Sequence, residues 1–158
     1  MEITLRGLRT EAGLTQIKAS NMVGIPLRTY KRYETDDKLV GTIKYDYIIN
    51  KLTEATMIDE DHGILTIDKI TKLCSSVFEH HDVQYCYLFG SYAKGIAKEN
   101  SDIDLLIATS YTGLKYYGLL EELKQKLKKN LDLLNLEQIN NNPQLLNEIL
   151  MDGIKIYG

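Results

Sequence analysis

Residues 88–107 read Leu-Phe-Gly-Ser-Tyr-Ala-Lys-Gly-Ile-Ala-Lys-Glu-Asn-Ser-Asp-Ile-Asp-Leu-Leu-Ile. The chemistry in this segment starts with two carboxylates, Asp102 and Asp104, set two residues apart among apolar neighbours. In a strand, residues i and i+2 project to the same side, so both acids address one site. Such a pair is costly to bury unless it is ion-paired or bound to a cation. Upstream, Gly90-Ser91 forms a small-residue turn after an apolar run. A glycine lets backbone approach a ligand closely. Ser91 adds a hydroxyl and an N–H at the start of a predicted helix, a place suited to an anion. Carboxylates beside an anion-binding turn suit a hard cation with a phosphate, and Mg²⁺ is usually held by one or two carboxylates plus substrate phosphates. The pattern predicts metal-assisted transfer from a nucleoside triphosphate. Either piece alone is common on protein surfaces, so the weight lies in the combination. A third acid, Asp132, sits inside Asn130-Leu131-Asp132-Leu133-Leu134-Asn135-Leu136 and joins the other two if its strand pairs beside theirs.

The elements that must position these groups follow from periodicity. Ile67, Ile70, Leu73, Cys74 and Val77 recur at helical spacing with Thr66 as a cap, and His80-His81 close that helix. A strand over Tyr85–Phe89, a helix from near Ser91 and a strand over Ile103–Ala108 come next. Tyr116, Leu119, Leu120, Leu123 and Leu127 form another helical stripe, with Glu122 and Lys126 as an i, i+4 pair. Lys124, Lys126, Lys128 and Lys129 read as a solvated helix end that complements the dipole. After the Asp132 strand, Asn142-Pro143 opens a helix that Gly153 ends, and Ile154–Tyr157 alternates like an edge strand.

Residues 1–60 show no comparable strands. Helices are predicted from Leu5 to Gly13, from Leu14-Thr15-Gln16 to Val23-Gly24, from Leu27 to Glu34 and from about Thr42 to Leu52. The string Leu-Thr-Gln … Val-Gly-Ile-Pro … Arg-Thr-Tyr-Lys-Arg-Tyr-Glu resembles a helix-turn-helix of the Cro/C1 repressor type. By that resemblance, Gln16, Arg28, Thr29, Lys31 and Arg32 are the DNA-facing residues, and operator DNA is a partner. Tyr30 and Tyr33 are expected to pack. This half carries nine Lys/Arg against nine Asp/Glu, so it lacks a strong basic footprint, and a packing or dimerisation module is the competing reading.

Gly90-Ser91-Tyr92-Ala93-Lys94-Gly95 … Ser101-Asp102-Ile103-Asp104-Leu105-Leu106, with Asp132 beyond, resembles the minimal nucleotidyltransferase branch of the DNA polymerase β-like superfamily over roughly residues 65–158. Together with the Cro/C1-type resemblance of the first half, it implies an α+β fold: an all-α helix-turn-helix domain over 1–60, then a small mixed sheet flanked by helices over 65–158. It implies that Asp102, Asp104 and Asp132 are catalytic and hold two Mg²⁺ ions, with Asp132 also helping to deprotonate an acceptor hydroxyl. Gly90 and Ser91 would hold the β- and γ-phosphates of ATP. Lys94 stands where the family usually has arginine, which keeps the charge and loses bidentate phosphate contact. Members of this branch are frequently antitoxins paired with HEPN-type toxins, which points to AMP transfer onto a toxin tyrosine, an oligomer with that toxin and repression of the operon. Two other readings stand beside it: a DNA-binding antitoxin that neutralises its toxin by stoichiometric binding, and antibiotic nucleotidylation, which the lack of an added substrate domain disfavours.

Composition bounds the rest. The 158 residues are 44% hydrophobic and 26% charged, ordinary for a globular chain, and the net charge of −3 argues against a uniformly basic nucleic-acid coat. No apolar run suits a membrane span and no signal-peptide pattern opens the chain, so a cytoplasmic protein is expected. Cys74 and Cys86 read as buried free thiols. His62, His80 and His81 are assigned no catalytic part, and neither a Ser-His-Asp arrangement nor a P-loop pattern is present.

Overall fold

The computed structural model describes residues 3–158, which divide into two compact units, the first ending at Met57 and the second spanning Ile58–Gly158. The first unit is all helical: α1 (Leu5–Glu11), α2 (Gln16–Val23), α3 (Leu27–Thr35) and α4 (Ile43–Ala55), with a 3₁₀ turn at Asp37–Leu39. Threonines set three of its starts. The hydroxyls of Thr4, Thr15 and Thr42 accept from the N–H groups of Gly7, Lys18 and Tyr45, satisfying donors that the first helical turn leaves open. Gly24, at φ +71°, ends α2 in the left-handed conformation and turns the chain into α3 within three residues. Leu5, Ala19, Val23, Tyr30, Tyr45, Ile48 and Leu52 form the core, and Tyr33 packs against it, as both tyrosines were expected to do.

The second unit is α+β. It runs α5 (Ile67–Phe78), β1 (Val83–Phe89), α6 (Gly90–Ala93), β2 (Ile103–Thr109), α7 (Gly113–Leu127), β3 (Leu131–Asn135), α8 (Leu136–Ile139), α9 (Pro143–Asp152) and β4 (Ile154–Tyr157). The strands form one mixed sheet in the order β3-β2-β1-β4, antiparallel except for the parallel β2–β3 pair, and β4 lies at an edge as its alternation predicts. Alternation along β2 supplies both faces. Ile103, Leu105 and Ile107 enter the main core with Ile70, Cys74, Val77, Leu119, Leu123 and Leu127 of α5 and α7. Leu106 enters a smaller core with Phe89, Ile139 and Ile149. Cys74 and Cys86 are buried free thiols, and burial pushes both upward from the ordinary thiol range. Among the described residues no helix is long and apolar enough to cross a membrane.

Several local expectations change. Helix α5 ends at Phe78, so His80 and His81 lie beyond it, their N–H groups bonded to the Val77 and Phe78 carbonyls. The helix expected from Ser91 is a single turn, and Asp102 lies just ahead of β2. Glu122 reaches the His81 ring (2.8 Å) in place of Lys126. Lys129 is no solvated helix end. Lys128, at φ +55°, turns the chain sharply after α7, and Lys129 is only 2% exposed.

Candidate active site

The acids are set by strand register. Asp104 is the second residue of β2 and lies opposite Phe89 of antiparallel β1 and beside Asp132 of parallel β3. The two carboxylate-bearing strands are therefore neighbours in the same register, the condition under which the third acid joins the site. Asp104 and Leu106 project to one side of β2, and Leu106 packs toward α8 and α9. The acids thus open on the face that carries α9. Asp104 is half-buried, and Asp102 and Asp132 are exposed.

Gly90 is fixed by this arrangement. Its φ is +69°, and a Cβ built on it would stand 2.1 Å from Oδ2 of Asp104. Only glycine leaves the room in which the carboxylate lies against the turn. Ser91 follows, half-buried, and its hydroxyl has no hydrogen-bond partner among the described residues. Lys94 is engaged elsewhere. Its Nζ lies 2.5 Å from Oε1 of Glu148 on α9, and the hydrogen bond and charge of Glu148 raise the lysine further above its ordinary range.

Electrostatics single out Asp104. Burial, then the negative charges of Asp132, Asp102 and Glu148, push its carboxyl up to about 6. Tyr116 of α7 donates to the Leu133 carbonyl (2.5 Å), and burial and Asp132 raise its phenol in turn. A half-buried acid among other acids favours a bound cation, since an opposite charge stabilises the ionised form. The donors are hard carboxylate oxygens and suit Mg²⁺, which keeps waters and substrate phosphates in its shell and needs no cage made wholly of protein. Among the described residues no three His, Cys, Asp or Glu side chains form a ready coordination cluster.

The family model "Polymerase beta, Nucleotidyltransferase" matches residues 69–158. The chain belongs to this nucleotidyltransferase family. A candidate protein adenylyltransferase of Methanocaldococcus jannaschii is 31% identical over 94 residues, which are 58% of this chain and 99% of that protein. The protein adenylyltransferase MntA of Shewanella oneidensis is 31% identical over 78 residues, 48% of this chain, and the match spans only 55% of its length. A solved toxin–antitoxin structure with AMP-PNP is 25% identical, covering 56% of this chain and 73% of its own, at a TM-score of 0.47. All these matches cover about half to three-fifths of the chain, and the family match lies wholly within the second unit.

In this nucleotidyltransferase, Asp102, Asp104, Asp132, Gly90 and Ser91 gather at one end of β2, while Lys94 is turned to Glu148. Glu148 is the residue that sequence reasoning missed. The available signal was weak: an acid between Leu145 and Ile149 on the apolar stripe of α9. The DNA-facing set lies in the other unit and is divided. Arg28, Lys31 and Arg32 are exposed on α3 with no side-chain partner among the described residues, and Thr29 is half-buried. Gln16 is drawn inward, its Nε2 donating to Oε1 of Glu34 (3.3 Å).

Proposed function

We propose that the second unit transfers AMP from ATP to a hydroxyl of a partner protein, a tyrosine of a HEPN-type toxin, and acts as the antitoxin of that pair. One observation carries this reading: Asp104 sits half-buried over Gly90, in register with Asp132, with its carboxyl pushed up to about 6 by burial and by surrounding acids. The relatives named protein adenylyltransferases support the nucleotide and the protein acceptor. The motif resemblance supports the toxin partner.

Asp102, Asp104 and Asp132 would hold two Mg²⁺ ions, which supply charge neutralisation at the attacking and leaving oxygens. The Gly90-Ser91 backbone and the free Ser91 hydroxyl orient the β- and γ-phosphates. Lys94 adds its charge to them by exchanging Glu148 for phosphate. Asp132, exposed on its strand, takes the proton of the acceptor hydroxyl. The acceptor oxygen then bonds to the α-phosphorus, the P–O bond to the β-phosphate breaks, and pyrophosphate leaves. The test is transfer of label from α-³²P-ATP with Mg²⁺ to the co-purified helical partner. Label on a tyrosine with the wild type and none with Asp104→Ala is expected. Toxin neutralisation that survives Asp102→Ala with Asp104→Ala would replace this reading with stoichiometric binding.

The first unit is proposed to bind operator DNA through Arg28, Lys31 and Arg32 of α3, whose exposed, unpaired cations support it. Replacing Arg28 and Arg32 with alanine should weaken binding to the upstream DNA and flatten its salt dependence in a mobility-shift assay. Unchanged binding removes the proposal and leaves a packing module.

A further inference from the structure

We propose that Lys129 is a positioning residue for Asp102, acting through the loop that leads into β2. The inference rests on the reading of Asp102 as a cation-holding carboxylate. Lys129 is one of only two buried polar or charged residues among those described, and its ammonium lies in the second unit with no carboxylate partner. Burying an ammonium is costly unless its donors are satisfied. Here Nζ donates to two main-chain carbonyls, that of His62 at 3.0 Å and that of Glu99.

The second acceptor gives the lysine its consequence. Glu99 lies in a tight turn closed at both ends, with Lys98 N–H donating to Ser101 Oγ (2.8 Å) and Ser101 N–H donating to the Lys98 carbonyl (3.0 Å). Asp102 follows directly, outside the sheet ladder, in a position no strand partner fixes. On its far side, Ile103 N–H donates to the carbonyl of Asn130 (2.9 Å). Asp102 is therefore bracketed by two consecutive residues, Lys129 before it and Asn130 after it. The Asn130 anchor is main chain and survives any side-chain change, whereas the Lys129 anchor is a single ammonium. Asp104 needs neither, because β1 and β3 hold it on both sides. The turn at Lys128, φ +55°, is what aims Lys129 inward.

Groups that orient metal ligands typically change affinity by roughly 10- to 100-fold when removed. The experiment is a Mn²⁺ titration of the full chain by electron paramagnetic resonance, which needs no turnover, on wild type, Lys129→Met, Asp102→Ala and the double variant. Lys129→Met is expected to weaken Mn²⁺ binding about tenfold, and to add nothing in the Asp102→Ala background, because the two act in series. Wild-type affinity in folded Lys129→Met overturns the positioning role, as does equal weakening in both backgrounds. If Asp102→Ala alone leaves Mn²⁺ binding intact, the reading of Asp102 itself falls, and the positioning role with it. Should Lys129→Met fail to fold, Lys129→Gln carries the test, since its neutral, shorter amide fills the same space and removes the ammonium that ties down Glu99. A several-fold loss that again vanishes without Asp102 supports the role, and unchanged binding overturns it.

Discussion

Glu34 in the first unit and Asp104 in the second are both carboxylates withdrawn from water, and the chain treats them oppositely. The Glu34 side chain is 3% exposed and receives two hydrogen bonds from Arg9 (3.0 and 2.8 Å) and one from Gln16 (3.3 Å). Burial pushes Glu34 upward, but the hydrogen bonds from Arg9 and Gln16 and the Arg9 charge outweigh it and hold the carboxyl below its ordinary range. Asp104 has no such partner. Burial raises it, and Asp132, Asp102 and Glu148 raise it further. Burial alone does not separate a structural acid from a functional one. The sign of the neighbours does: Glu34 carries its cation within the fold, while Asp104 faces only acids, the setting in which the proposed cation would be stabilising.

That contrast can be broken at either end, and removal of Asp104 has the largest expected effect. Asp104→Ala should lower nucleotidyl transfer on the order of 1,000-fold, read from label incorporation, with unfolding of the first unit unchanged. The counterpart is Arg9→Ala. It leaves Glu34 buried without its cation and should cost the first unit about 3–5 kcal/mol, read by chemical denaturation, with transfer per folded molecule unaltered.

A smaller effect concerns pH in the absence of divalent cations. Because the folded-state value of Asp104 is raised from 3.8 to about 6, its contribution to stability is fully present below about 3.8 and is lost as pH rises through about 6. Thermal melts of the second unit should therefore gain on the order of 1 kcal/mol between pH 7 and pH 5, after allowance for solvent screening, and Asp104→Asn should remove that slope. Glu34 has the opposite sign. Its lowered value gives stability that is present above 4.5 and lost as pH falls through its folded value, so the first unit weakens in acid and Glu34→Gln flattens the trend. The smallest effect is at Lys94. Lys94→Ala should raise the KM for ATP roughly threefold to tenfold with little change in kcat, and Lys94→Arg should restore it, since the role proposed for the lysine is that of a charge on phosphate.

Much of the fold was legible because local patterns and long-range packing agreed. The Thr66 cap of α5, the glycine after α2 and the alternation of β4 mark the elements they form. The acids were legible as types and spacing. Their convergence was not, because it depends on β3 pairing parallel to β2 after a 15-residue helix, and no local pattern encodes a pairing partner. The same reason hides Glu148, 54 residues from the lysine it holds. Lys129 misleads for a different reason: a lysine run after a helix normally meets water, and one left-handed residue redirects this side chain into the interior. Asp102 lies outside the strand that its i, i+2 spacing suggested, so it needs anchors of its own.

The most direct measurement follows the Asp104 carboxyl itself. Its ¹³Cγ shift would be titrated by NMR in wild type, without divalent cations and then with Mg²⁺ and a non-hydrolysable ATP analogue. A midpoint near 6 is expected in the first condition, and a carboxylate that stays ionised well below that value in the second. A midpoint near 3.8 in both conditions would contradict it, leaving Asp104 an ordinary surface acid with no claim on a cation.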